Sequence, residues 1–436
     1  MHGSVRPANA RVTGWGFLIG GIILGGDISR GFENRINILK YAKKGYSDFI
    51  MFLIDGPYVS DFLKSTIVTK KIPVVDTNEA RHYLDELDVN WVSYTEWQDS
   101  RFQERLYTNS ENALSQLPKS SPLTKTVELL KNKLKFRHLL KDAFPDFWFR
   151  EISLTQLQAL TPDDLIYPCV LKPTVGFFSA GVHVLETRAD FGPVHEDILS
   201  NLSQSDFPKS VLDLTQFIAE AYLTGEEYAV DFYVNSAGDV VILNLLHHRF
   251  SSQTDTSDRI YTTSLSLIEE LGPKVRRFLQ SFLDPLNVSG FPGHAEIRIG
   301  RAGKISFIEI NPLRFGGWCT TGDMLGEILG FNAYTAFLND AQPDWETVFS
   351  KHNDHAISLA ILDNNSGISI DEIAAFDYDR FRDVFSDTVL LRKMDFKTHG
   401  FFGFAFLVTK QSNLRQIDDL LCADMVDFIS CRHGSA

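Results

Sequence analysis

From Gln216 to Ile310 the chain is written in strand-length apolar runs, Gln216–Ala221, Tyr228–Val234, Val240–Leu246, Ala295–Ile299 and Ile305–Ile310, broken by one long helical stretch, Thr263–Phe282. Short apolar runs bounded by turn residues read as strands, and successive strands without alternating helices exclude a doubly wound sheet here. This block must be α+β. Residues 15 to about 120 have a different rhythm. There Phe17–Leu24, a helix-like Asn34–Lys44, Asp48–Leu53, an extended Lys71–Val75 and a further helix suggest a small parallel sheet with helices on both faces. The fold class expected is therefore α/β followed by α+β.

The joints can be placed. Asn109–Lys125 is rich in Ser, Pro, Asn and Thr and reads as a linker. From Leu123 to Leu140 apolar residues recur three and four apart, which predicts one helix stopping before Phe144-Pro145. From Tyr167 the pattern PCVLKP, a Gly-rich turn and GVHVLE predicts a β-hairpin, followed by a helix through about Glu196–Leu202. Beyond Asp340, Ala356–Leu362, Thr388–Leu391 and Gly400–Val408 are candidate strands. The expected divisions are 1–122, 123–225, 226–345 and 346–436.

Composition narrows the class. A chain of 436 residues with 44% hydrophobic and 22% charged side chains is globular and long enough for several domains. Its formal charge of -14 has the wrong sign for gripping nucleic acid over a broad face. Cys169, Cys319, Cys422 and Cys431 show no C-x-x-C spacing, which favours free thiols in a reducing cytoplasm. The longest apolar stretch, Trp15–Gly26, is a dozen residues where a membrane span needs roughly 20. A buried strand and turn suits it better, and its glycines are a weak phosphate-binding signal.

Three motifs carry chemistry. Lys172 leads into Thr174–Val182, whose glycines and serine suit a loop that wraps an anion with its N–H groups, although Gly-rich hairpin turns are common. Glu220 and Glu227 stand seven residues apart across a turn; exposed glutamates are the plain reading. The functional reading pairs main chain beside Glu220, reading an adenine edge, with a Glu227 carboxylate accepting from ribose hydroxyls. His294–Arg298 and Phe307–Pro312 look like consecutive antiparallel strands. Alternation puts Glu296 with Arg298, and Glu309 with Asn311, on one face each. Glu296, Glu309 and Asn311 across a hairpin form a hard oxygen site suited to Mg²⁺ with nucleotide phosphates completing the shell.

Taken in order, Lys133, Lys172 with its Gly-rich loop, Glu220 and Glu227, Glu296, and the E-x-N of Glu309–Asn311 resemble the ATP-grasp superfamily of carboxylate-amine ligases over roughly 123–330. The resemblance implies an ATP-grasp fold with an N-terminal αβ pre-grasp domain, a small lid subdomain and a larger C-terminal α+β domain. ATP would lie between two subdomains. It implies that Lys133 and Lys172 contact phosphates, that Ser179 and Gly181 lie in the lid loop, and that Glu220, Ala221 and Tyr222 form the adenine hinge. Glu227 would hold ribose, while Glu296, Glu309 and Asn311 hold two Mg²⁺, with Mn²⁺ able to substitute. The run Arg314-Phe315-Gly316-Gly317-Trp318 is similar to a segment of the L-amino-acid ligases that make dipeptides, with Leu313 inserted after Asn-Pro. Arg314 is then the candidate for stabilising an acyl phosphate, and Arg298 is either a second catalytic candidate or a partner of a metal-site carboxylate.

His248 and Arg249, after a strand, are candidate substrate contacts; adjacent extended histidines point apart, which argues against His247 and His248 as a metal pair. Trp318 either walls an amino-acid pocket or packs in the core. The expected partners are a small-molecule carboxylate and amine, without nucleic acid or membrane, and a homodimer is allowed. Two alternatives remain: an ATP-grasp carboxylase or formyl-transfer enzyme of cofactor or purine metabolism, and a non-catalytic nucleotide-binding regulator. A biotin-dependent carboxylase is disfavoured by the lack of a Glu-His-Gln run before the lid region.

Overall fold

The computed structural model describes residues 50–99, 105–176, 181–201, 214–251 and 259–431. The expected strand at Phe17–Leu24, the helix at Asn34–Lys44, the glycines of Trp15–Gly26, and Ser179 all lie outside the described residues. Phe49–Ala436 forms one unit.

Its first layer is a parallel sheet ordered β3-β2-β1-β4: β1 (Met51–Leu53), β2 (Pro73–Asp76), β3 (Asn90–Ser93) and β4 (Leu106–Thr108). Helix α1 (Asp61–Lys70) starts at Ser60, whose side chain accepts from the Leu63 N–H, and buries Leu63 and Ile67. The expected linker is instead structured. Asn109 is buried, with its side chain bonded to the main chain of Asp55 and Tyr58, and Asn112–Gln116 forms a 3₁₀ turn. The polar residues that suggested a loop are satisfying backbone groups of the segment after β1, with Asn112 reaching the Gly56 carbonyl as well.

The expected helix over Leu123–Leu140 is two helices, α2 (Pro122–Lys131) and α3 (Lys133–Leu140), broken at Asn132 with ψ 110°. Asn132 caps the second, accepting from the Lys135 N–H at 2.9 Å, and the Lys133 N–H donates to the Thr174 carbonyl at 2.8 Å. Propensity for an Asn cap and a tertiary partner outweigh the apolar period.

A small antiparallel sheet, β5-β8-β6-β7, follows: β5 (Phe149–Ser153), β6 (Cys169–Pro173), β7 (His183–Leu185) and β8 (Gln216–Ala221). It has a core of its own, around Ile152, Leu171 and Phe217. The third sheet has eight strands: β9 (Glu226–Val234), β10 (Val240–Arg249), β11 (Ile260–Thr263), β12 (Phe291–Ile299), β13 (Ile305–Pro312), β14 (His355–Asp363), β16 (Thr388–Lys393) and β17 (Phe401–Lys410), while β15 (Ile373–Phe376) pairs separately with β18 (Ile429–Cys431). The sheet is ordered β13-β12-β9-β10-β11-β14-β17-β16, so the division expected at 345/346 does not separate two sheets. Helix α4 (Leu265–Leu283) lays Ile268, Val275, Leu279 and Leu283 on the large core, a 3.6-period stripe. Burying each such side chain stabilises by about 1.5–3 kcal/mol. Among the described residues, no helix is long and apolar enough to cross a membrane.

Candidate functional site

Strand register gathers the site. Across β10, β9 and β12, His248, Glu227 and Arg298 are cross-strand neighbours; the next row is Leu246, Ala229, Glu296 and, on β13, Glu309; the third is Asn244, Asp231, His294 and Asn311. Residues two apart on a strand share a face, so these three rows form one continuous surface. A bulge in the β12–β13 pairing just after Glu296 leaves Glu296 opposite Glu309.

The break at Asn132 brings in two cations. In an unbroken helix Lys131 and Lys133 would point nearly opposite ways. Here the Lys133 ammonium lies 2.6 Å from Glu309, while Lys131 pairs with Glu111 and donates to the Gly176 carbonyl at 3.1 Å and to Asn311 Oδ1 at 3.3 Å. Burial opposes ionisation of Glu309, but Lys133 and then Lys131 hold its carboxyl well below the usual range. Burial likewise disfavours the charged Lys133, and Glu309 reverses the balance so that its pKa is raised. The Asn311 amide donates to Glu309 at 3.0 Å.

A second buried group sits where the small sheet meets β13. Lys172, on β6, lies 2.5 Å from Glu220 on β8, and Arg137 of α3 donates to the same carboxylate from Nε at 2.7 Å and Nη2 at 3.1 Å. Arg137 also donates to the Phe307 and Ile308 carbonyls. Burial pushes Glu220 up, and Arg137 and Lys172 more than reverse this, bringing it to about 2. Burial lowers the Lys172 pKa, with Glu220 opposing. Gly181, at φ 72°, closes the turn after the loop; a Cβ there would meet Pro173 Cγ at 3.1 Å.

Arg314 follows Leu313, whose φ of 64° turns the chain at the end of β13. Leu313 is clamped by N–H donation to the Pro292 carbonyl at 2.8 Å and by acceptance from the Thr108 N–H at 2.7 Å. Trp318 and Cys319 also lie at positive φ, and such positions cost about 1–3 kcal/mol each, so the segment is held by its surroundings. The Arg314 guanidinium donates to Glu111 at 2.6 Å; burial opposes its charge, and Glu111 holds its pKa above the ordinary value. Arg314, Glu296, Glu309 and Asn311 line a cavity of about 650 Å³ that also reaches Tyr58 and Trp318.

The remaining sequence candidates are distributed otherwise. Arg298 faces Glu227 at 2.9 Å and the Tyr222 hydroxyl at 2.8 Å, so its ion pair is with the ribose candidate and not with a metal-site carboxylate. Glu227 also meets His248 Nδ1 at 2.8 Å. His248 is buried and stacked on Tyr261, and Arg249 pairs with Asp418; neither lines the cavity. The N–H groups of Ala221 and Tyr222 are donated to the Trp148 and Pro168 carbonyls, so these two N–H groups are already engaged. Trp318 both packs on Phe401 and walls the cavity. Glu111, Lys131 and Arg137 were not singled out from the sequence. The Lys-Asn-Lys of 131–133, with Asn able to cap, is the signal that could have found Lys131.

Glu296, Glu309 and Asn311 offer only oxygen atoms as ligands, the chemistry a hard divalent cation takes. Among the described residues, no three His, Cys, Asp or Glu side chains are gathered to hold a metal by themselves. The residues fit Mg²⁺ whose shell is completed by phosphate oxygens and water.

Residues 165–322 match the model of the ATP-grasp domain. The structure is similar to the L-amino acid ligase from Bacillus licheniformis, at 16% identity over 89% of this chain and 100% of that one, with a TM-score of 0.60. It is also similar to the ADP complex of N5-carboxyaminoimidazole ribonucleotide synthetase, at 15% identity over 87% and 97% of the two chains and a TM-score of 0.57. The N5-carboxyaminoimidazole synthetase from Staphylococcus aureus, complexed with ADP, gives 13%, 85%, 95% and 0.55 in the same terms. No curated protein matches by sequence. Residues 165–322 thus resemble the ATP-grasp domain, and the chain has the ATP-grasp fold, with the parallel N-terminal sheet and the large antiparallel sheet that the sequence leads one to expect.

Proposed function

We propose that the protein is an ATP-dependent ligase that activates a carboxylate, that of an amino acid or small peptide, as an acyl phosphate and joins it to an amine, releasing ADP and phosphate. The observation that carries this reading is one cavity in which Arg314 stands beside Glu309 and Asn311 at one end and apolar side chains close the other. Lys131, Lys133, Lys172, Arg137 and Arg314 are gathered with Glu111, Glu220, Glu296 and Glu309. In a chain of net charge -14, five cations gathered in one place suit a polyanion such as ATP.

In this reading Lys133 and Lys172 exchange their carboxylate partners for phosphate oxygens, and Glu227 accepts from ribose. Glu296, Glu309 and Asn311 hold Mg²⁺, which when bound offsets charge on the β- and γ-phosphates. A substrate carboxylate oxygen attacks the γ-phosphorus; the bond to the bridging oxygen breaks and ADP leaves. Arg314, fixed by Glu111, aims its remaining donors at the oxygens that gain charge when the amine adds to the acyl carbon. Phosphate then departs with the former carboxylate oxygen. The apolar wall excludes water that would hydrolyse the acyl phosphate.

The alternative reading, a carboxylase acting on a phosphorylated ribose, calls for cations able to grip a phosphate ester. Among the described residues the arginines lining the cavity, Arg314 and Arg259, are paired with Glu111 and with Asp363, so the substrate assay decides between the two readings. Pairs of amino acids offered with Mg-ATP should release ADP and phosphate and give an amide; tight Mg-ATP binding with no release from any pair would sink the proposal.

A further inference from the structure

Given the ligase reading above, on which this inference rests, we infer that one of the two substrates carries a large apolar or aromatic side chain, seated against a wall built by β14 and β17. On β14, alternation turns Leu359, Ile361 and Asp363 to the cavity. Alternation alone would give β17 only one of Phe401 and Phe404, since they are three apart. A bulge changes that: Leu362 pairs with Gly403 and Asp363 with Phe401, skipping Phe402. Gly403 has φ 154°, and a Cβ there would lie 2.3 Å from the Arg392 carbonyl oxygen, so this irregularity needs glycine. Both Phe401 and Phe404 line the cavity, while Phe402 stacks on Phe376 in a separate core, at 4.4 Å between rings.

Trp318 and Tyr58 complete the wall. The Trp318 ring lies 5.3 Å from Phe401, 6.3 Å from Phe404 and 6.1 Å from Tyr58. Arg392 braces it from behind, its guanidinium 5.2 Å over Tyr58 and 5.5 Å over Phe404, and donates to the Trp318 carbonyl at 2.9 Å. The cavity thus carries Glu296, Glu309 and Arg314 from β12, β13 and the turn after it, and a braced apolar surface from β14 and β17 beside the paired Arg259 and Asp363, within about 650 Å³. A polar head and an apolar side chain on one small molecule fit that combination. A substrate as small as glycine would leave the wall uncovered.

The test compares kcat/KM for ADP formation by the full-length protein with Mg-ATP and amino-acid pairs. The wild type should favour at least one of phenylalanine, leucine, isoleucine or methionine over glycine, alanine, aspartate and lysine at one of the two positions. Ile361→Trp, which fills the space, should cut the ratio of bulky to alanine kcat/KM by about tenfold or more, the scale set by pocket fit. Phe401→Ala, which removes wall, should lower the same ratio and serves if the first variant does not fold. A wild type preferring small or charged amino acids at both positions overturns the inference. So does an unchanged ratio in the folded variants. If no pair releases ADP, the ligase reading fails by itself, and binding decides the present point. Phenylalanine or leucine should then quench the fluorescence lost in Trp318→Phe, whereas glycine should not; no quenching overturns the inference.

Discussion

The two ends of the cavity region are built on opposite principles. At the end near the small sheet each cation has a carboxylate: Lys172 and Arg137 share Glu220, Lys133 faces Glu309, and Lys131 and Arg314 share Glu111. At the far end Phe401, Phe404, Ile361, Trp318 and Tyr58 offer mainly apolar surface, beside the paired Arg259 and Asp363. Buried ion pairs lose strongly when one partner is removed, whereas an apolar wall tolerates exchange of one side chain for another of like volume. The charged end therefore tolerates little change, and the apolar end is where, in the proposed reading, a particular substrate can be selected.

That contrast can be broken at the charged end first. Arg137→Ala leaves Glu220 with one partner and two carbonyls without a donor, and should lower the unfolding free energy by about 3–5 kcal/mol in urea titrations. Wild-type stability would mean that the cluster is solvated. Glu309→Gln keeps the shape but removes the charge, and ADP formation should fall by about 10²–10³-fold, with a lowered melting temperature because buried Lys133 loses its carboxylate. Lys172→Ala should weaken ATP by about ten- to a hundredfold, measured by calorimetry, with a smaller change in kcat, since a hydrogen bond to a charged group contributes about 1.5–3 kcal/mol.

The smallest effect concerns pH. Glu220 sits at about 2 in the folded chain against an ordinary 4.5, so its contribution is complete above the ordinary value and is lost as pH falls toward 2. At pH 4 the loss should be about 1 kcal/mol or less, growing at lower pH, and Glu220→Gln should flatten that part of the stability profile. An unaltered profile would show that Glu220 is not held by its cations.

The same contrast explains what could be seen in the sequence. Glu296, Glu309 and Asn311 are legible because period-two alternation in two adjacent strands fixes which residues meet, and the register bears that out. Strands such as Gln216–Ala221 were legible for the same reason. Lys131 was hidden because its apolar period continues smoothly through Asn132; the Asn cap is a weak local signal, and the tertiary bond from Lys133 to Thr174 fixes the break. Glu111 was hidden in a polar run that resembles a loop. The wall was out of reach: its residues come from around 58, 318, 360 and 402, joined by strand pairing that no local pattern encodes, and by a bulge at Gly403. The 34 phenylalanines, an oddity of composition, are partly accounted for by that wall and by the separate core of Phe376, Phe381, Phe402 and Phe428.

In the proposed reaction a substrate carboxylate is activated by phosphoryl transfer before amide formation. The most direct measurement supplies the amino acid with ¹⁸O in its carboxylate, together with Mg-ATP and the amine, and weighs the released phosphate. The account predicts one ¹⁸O in each phosphate formed with amide. Unlabelled phosphate released at the same rate with and without the amino acid would contradict it.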